Sequence, residues 1–157
     1  MTLHVPKALP LSLQAAHKTD VRTQFGALVY RIYNNKPQVL LVTSRGTGRW
    51  IIPKGWPLDG ITPAQGAAQE AWEEAGVQGK PSDRCLGLYS YQKSIGAERE
   101  VPCLVMVYPI KAKKLARQYP EAGQRRRKWF SPKKAAARVA EAELAQILKS
   151  FHPDILL

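Results

Sequence analysis

Acidic residues are scarce in this chain. Twelve Asp and Glu stand against 24 Lys and Arg, a formal net charge of +12 over 157 residues. Such a balance disfavours cationic partners and favours phosphate-rich ones: nucleotides, polyphosphates, nucleic acid or an anionic surface. Cysteine is nearly absent. Cys85 and Cys103 are too few and too far apart for a disulfide framework or a metal knuckle, so free thiols and a cytoplasmic setting are expected. No apolar run approaches the roughly 18 residues of a membrane-spanning helix, and no membrane partner is expected. Repeats and low-complexity tracts are missing as well. The three histidines, His4, His17 and His152, lie near the termini and take no role. What remains is ordinary: 45% hydrophobic and 23% charged residues, enough for one domain with a real core.

Residues 1–20 read as an arm ahead of a single domain over 21–157. Pro6, Lys7, Pro10 and His17 interrupt any signal-peptide core. The arm has no acid before Asp20, as in transit peptides, but Pro6 and Pro10 oppose the amphipathic helix such a peptide needs.

β-Branched and aromatic residues predict a strand over Gln24–Tyr33, a turn at Asn34–Pro37 and a buried strand in PQVLLVTS, together a hairpin. A loop, RGTGR, leads to a brief strand, Trp50–Pro53. After the central helix discussed next, GKPSDR reads as a loop, CLGLYSYQKS as a strand and VPCLVMVYPIKA as the longest strand. Lys113–Arg127 reads as a loop with one helical turn near Leu115, and RKWF as extended. Ser131 and Pro132 signal a helix start, and Leu144, Ile147, Leu148 and Phe151 space an amphipathic helix over Glu141–Phe151. Strands and helices mix without strict alternation, which predicts an α/β fold, a mixed sheet flanked by helices.

The richest stretch is Gly55–Val77, GWPLDGITPAQGAAQEAWEEAGV. Thr62 is an N-cap candidate, Pro63 falls at the first helical position, Gln65 completes a capping box and Gly76 suits a left-handed stop. These signals predict a helix over Pro63–Ala75, with Ala68, Trp72 and Ala75 facing inward. Gly66 costs such a helix about 1 kcal/mol relative to Ala, which close approach of a neighbouring strand would explain. Glu70, Glu73 and Glu74 lie at i, i+3 and i+4 on one face, where like charges repel. A divalent cation among their oxygens would relieve that repulsion, and hard cations such as Mg²⁺ want oxygen ligands.

The stretch resembles the Nudix box, G-x5-E-x7-R-E-U-x-E-E-x-G-U, with U a bulky aliphatic. Gly55, Glu70, Glu73, Glu74, Gly76 and Val77 fall on their motif positions without a gap. Ile61 replaces the early Glu, Gln69 the Arg and Ala71 a bulkier aliphatic. WIIPKG before the box and KWFSP after it agree, so the likeness spans most of residues 22–150. The resemblance implies an α/β/α sandwich and Mg²⁺-dependent hydrolysis of a phosphoanhydride, with Mn²⁺ as the alternative ion. It implies Glu70, Glu73 and Glu74 as catalytic and metal-binding carboxylates, with the backbone carbonyl of Lys54 as a further ligand. A later carboxylate completes many such sites; Glu98, Glu100 and Glu121 are candidates here. Gln69 retains a hydrogen-bond donor but loses the charge that orients a catalytic carboxylate. Ile61 removes a supporting carboxylate, which Asp59 replaces only out of register.

Arg45, Arg49, Lys54, Lys93 and Arg126, the last within the run Arg125–Lys128, are the substrate-binding candidates. Several resemble positions of the diphosphoinositol polyphosphate phosphohydrolase branch. A polyphosphorylated metabolite is the leading substrate: a dinucleoside polyphosphate, an inositol pyrophosphate or a substituted nucleoside diphosphate. Two alternatives stand beside it. One is an RNA 5′-end pyrophosphohydrolase, favoured by charge but lacking visible aromatic interleaving. The other is a weakened domain that binds without hydrolysing, favoured by Gln69 and Ile61. Trp56 is the one tryptophan read as a candidate substrate contact; oligomeric state is not encoded legibly.

Overall fold

The computed structural model describes residues 22–94, 96 and 99–157. The proposed arm over 1–20 and the candidate Glu98 lie outside the described residues.

Two long strands begin the fold. β1 (Thr23–Tyr33) and β2 (Lys36–Thr43) pair antiparallel, with Tyr33 opposite Lys36. The turn is tighter than expected. Only Asn34 and Asn35 form it, both at positive φ (50° and 61°), a conformation Asn tolerates because its side chain hydrogen-bonds locally. The predicted strand at Trp50–Pro53 forms only over its first two residues, and a second short strand begins just beyond it. β3 (Trp50–Ile51) pairs with β2, and β4 (Lys54–Gly55) crosses to pair with β1.

Helix α1 (Pro63–Ala75) has the expected limits. Thr62 accepts from the Gln65 N–H at 3.2 Å, and the Gln65 side chain accepts from the Thr62 N–H at 2.9 Å. Gly76, at φ 67°, ends it. Gly66 abuts a strand side chain: a Cβ there would lie 3.3 Å from Phe25 Cδ2. Ala64, Ala67, Ala71 and Ala75 are buried, so small residues let the helix pack closely. Ala68 is partly buried against the same core, and Trp72 is half-buried.

GKPSDR departs from its expected loop. β5 (Val77–Pro81) pairs antiparallel with the end of β7 (Glu100–Leu115), through a register shift at Gln78/Gly79. The same pairing extends β7 to Leu115, where a helical turn was expected. β6 (Gly87–Ser94) pairs with β7, and β8 (Arg127–Phe130) with β2. The sheet order is β3-β2-β1-β7-β5. Among the described strands only β1 and β7 pair in parallel, so the sheet is mixed.

Helices cover both faces. α1 packs on Phe25, Ala27, Val29, Leu40, Val42 and Ile110. On the other face, α2 (Pro132–Arg138) and α3 (Ala142–Ser150) cover Leu28, Tyr30, Leu41, Ile52 and Val105 through Ala135, Leu144 and Leu148. A short 3-10 turn, Pro153–Leu156, was not anticipated. The α/β/α sandwich is therefore the architecture. Among the described residues no helix is long and apolar enough to cross a membrane.

Candidate active site

β4 and α1 meet at one place. Gly55 has no side chain there because Glu70 occupies the space: a Cβ on Gly55 would fall 2.1 Å from Glu70 Oε1. One helical turn on, Glu74 Oε2 accepts from the backbone N–H of Lys54 at 3.3 Å. Glu74 is 4% exposed, a depth at which a carboxylate needs partners.

These residues line a cavity of about 330 Å³ with Gln24, Ser44, Arg45, Lys54, Trp56, Tyr91, Lys93, Glu121 and Arg125. Arg125 is its electrostatic centre. Its Nε lies 3.1 Å from Glu121 Oε1, its Nη2 3.6 Å from Glu74 Oε1, and its Nη1 donates to the Thr43 carbonyl at 3.2 Å. Arg45, largely exposed, reaches Glu121 at 3.5 Å. The Lys54 ammonium sits 5.0 Å from the centre of the Tyr91 ring, and the Tyr91 hydroxyl donates to Gln24 Oε1 at 2.5 Å.

Burial and crowding of like charge set the protonation behaviour. Burial, then the charges of Glu74, Glu73 and Glu121, raise the Glu70 carboxyl to about 7. Burial raises Glu74 to about 7 as well, against the opposing pull of Arg125 and Lys54. Burial lowers Lys54 to about 8, although Glu74 favours its charged form. Two carboxylates and an amine thus titrate near neutrality, a pattern concentrated at functional sites.

The expected residues divide cleanly. Glu70, Glu74, Lys54, Arg45 and Lys93 line the cavity. Glu73 is outside this lining. Its Oε1 accepts from Gln69 Nε2 at 3.0 Å, so Gln69 keeps the expected hydrogen bond, and its carbonyl accepts from the Glu121 N–H. Arg49 is turned away: its Nη1 lies 3.0 Å from both Glu141 oxygens, tying β3 to the start of α3. Arg126 is also displaced, its guanidinium over the Trp50 ring at 5.4 Å. Arg125, in the bend just before β8, enters the cavity instead. Of the later carboxylates, Glu121 enters it, while Glu100 is exposed and outside its lining, as is Asp59, the substitute considered for the carboxylate missing at Ile61. Gln24, Ser44 and Tyr91 had no sequence signal.

The donor set suits a divalent cation by charge and by atom type. Glu70 and Glu74 offer hard oxygen donors whose ionised forms are held back by burial, and a dication would stabilise those forms. Among the described residues no three or more His, Cys, Asp or Glu side chains are gathered as a metal group.

A mixed sheet between helices, with a glycine backed against a helical glutamate at a cavity lined by both cations and carboxylates, defines an α/β/α sandwich domain. The NUDIX domain pattern matches residues 22–153, and the chain belongs to that family. It is 32% identical over 108 residues to Nudix hydrolase 13, mitochondrial, of Arabidopsis thaliana. That alignment covers 66% of this chain and 54% of the relative, so the chain spans about half that curated relative's length. An Ap4A hydrolase of C. elegans superposes with a TM-score of 0.61 at 20% identity, covering 88% of this chain and 100% of the other. The NUDIX domain of Shewanella oneidensis NrtR, complexed with ADP ribose, gives 0.62 at 16% identity, over 92% and 97%. At such identities these two likenesses show the fold.

Proposed function

We propose that the chain hydrolyses a phosphoanhydride bond in a small polyphosphorylated metabolite, assisted by a divalent cation. The observation that carries this reading is the joining of Glu70, Glu74 and Glu121 with Arg45, Lys54, Lys93 and Arg125 around one cavity. Carboxylates alone would repel a polyphosphate, and cations alone would bind it without activating water. Their combination serves both tasks.

Glu70, Glu74 and the Lys54 carbonyl would hold the cation, Mg²⁺ or Mn²⁺. When bound it would neutralise phosphate charge and make its coordinated water more acidic. Arg45 and Lys93 stand at the cavity where phosphate oxygens need counter-charge. Glu121, held by Arg125 and Arg45, completes the acidic wall. Glu73, tied to Gln69, supports the helix face and sits one step from the chemistry. A carboxylate poised near neutrality is suited to accept the proton of the attacking water.

Trp56, 40% exposed at the cavity edge with the Lys93 ammonium 5.8 Å from its ring centre, offers a face for a base. That supports a nucleotide-containing substrate over an inositol pyrophosphate. The Arabidopsis relative is named a hydrolase, one structural neighbour an Ap4A hydrolase, and another is complexed with ADP ribose, which agree in chemical class. Free Cys85 and Cys103 support a reducing compartment.

Phosphate release from diadenosine polyphosphates, ADP-ribose, inositol pyrophosphates and triphosphorylated RNA, with Mg²⁺ and with chelator, tests the reading. Turnover of a nucleotide-containing metabolite that chelator abolishes is expected. Binding without turnover across the panel would replace hydrolysis with a ligand-binding role.

A further inference from the structure

A second cavity, of about 250 Å³, lies away from the first and is lined by Arg31, Ala112, Lys113, Lys114, Leu115 and Trp129. Both cavities border β1, but Gln24 reaches the first and Arg31 the second. Seven residues of strand separate these by roughly 23 Å. Ala112, Leu115 and Trp129 pack against the core on the α1 face, which places the cleft on that side of the sheet.

Its chemistry differs from that of the catalytic cavity. No Asp or Glu occurs in residues 21–58, 101–120 or 122–140, the segments that supply β1, β2, β8 and all of β7 after its first residue. The cleft is therefore cationic with no internal counter-charge. Lys113 and Lys114 are exposed, and neither has an ion pair among the described residues. Aromatic rings stand among these cations. The Arg31 guanidinium is stacked 4.6 Å from the Tyr33 ring centre and 4.3 Å from that of Trp129, while its Nε donates to Gln38 at 2.9 Å. Tyr33 is 51% exposed. The stack is thus fixed in place, with one ring open to solvent.

We propose that this cleft is a binding site for single-stranded nucleic acid, separate from the catalytic cavity. A free polyphosphate would need only the cations. The addition of a rigidly held aromatic–guanidinium stack is what a strand uses, bases on rings and phosphates on lysines. Aromatic and cationic residues thus do interleave here, though they come from β1, β7 and β8 and lie as far as 98 residues apart, from Arg31 to Trp129. On the same face of β8 as Trp129, Arg127 donates to the Ala75 carbonyl at 2.7 Å and lies 4.9 Å from the Tyr119 ring centre. Cations and rings therefore continue from the cleft toward Arg125.

The test is fluorescence anisotropy with a labelled single-stranded oligonucleotide of about a dozen nucleotides, carrying a 5′-hydroxyl, in chelator. Those conditions leave the anhydride site without its substrate or cation. The full chain is compared with Lys113→Glu/Lys114→Glu and with Tyr33→Ala, all exposed positions whose change spares the core. The double charge reversal is expected to weaken binding at least about tenfold and to flatten its salt dependence. Tyr33→Ala is expected to weaken it by about tenfold, the scale of one lost stacking contact. Phosphate release from a dinucleoside polyphosphate should be unchanged in both variants. Unaltered affinity in both would overturn the proposal. So would a lysine effect with a silent Tyr33→Ala and full displacement by tripolyphosphate, which would mark a phosphate-only site.

Discussion

Gly55 shows how one missing side chain shapes the site. Its Cα faces the Glu70 carboxylate so closely that Ala cannot be added without moving it. Gly55→Ala should reduce kcat by about a hundredfold, the scale of a displaced catalytic group, with only a small change in melting temperature. Steady-state kinetics beside thermal unfolding check both halves. Glu70 and Glu74 carry a second prediction. Both have folded-state values near 7, above the ordinary 4.5. The folded chain therefore binds protons more tightly than the unfolded chain between those pH values. Stability from these groups is present below about pH 4.5 and is lost as pH rises through 7. In chelator, denaturant midpoints should fall across that window, and Glu70→Gln/Glu74→Gln should remove the slope. A slope unchanged in the double variant would contradict the assignment. The carboxylates themselves were legible because i, i+3, i+4 spacing is a local property. Arg125 was not distinguishable from Arg126, because which one points inward depends on the bend that precedes β8. Glu121 was only one of three candidates, since a loop carboxylate finds its site through tertiary contacts with Arg125 and Arg45.

Among the elements, α1 was readable from end to end because its signals are carried within the segment. A capping box, a proline at the first position and a left-handed glycine each satisfy the helix's own backbone. Thr62→Ala should cost about 1 kcal/mol, lowering the melting temperature by roughly 2–4 °C. Gly76→Ala should cost more, since it adds backbone strain at φ 67° and a Cβ 2.5 Å from the Tyr119 ring. Differential scanning fluorimetry would rank the two. β5 was unreadable for the opposite reason. Gln78, Gly79 and Lys80 have no strand pattern, and their conformation is imposed by pairing with the end of β7. The extension of β7 to Leu115 is the other side of the same pairing. β3 and β4 likewise divide because each finds a different neighbour, a distinction absent from WIIPKG itself.

For the whole molecule, the net charge of +12 has two outlets rather than one. In the first cavity the cations are balanced by Glu70, Glu74 and Glu121, a mixture suited to the proposed metal-assisted hydrolysis. At the Arg31–Trp129 cleft they are unbalanced, which suits the proposed binding of single-stranded nucleic acid. Composition announced phosphate chemistry but not this division, which the sheet creates by bringing distant segments together. The most direct measurement for the catalytic claim is Mg²⁺-dependent phosphate release from a dinucleoside polyphosphate by the full chain and by Glu74→Gln. The expected result is turnover that chelator abolishes and that Glu74→Gln lowers by a hundredfold or more. Equal rates in the two proteins, or turnover that persists in chelator, would contradict it.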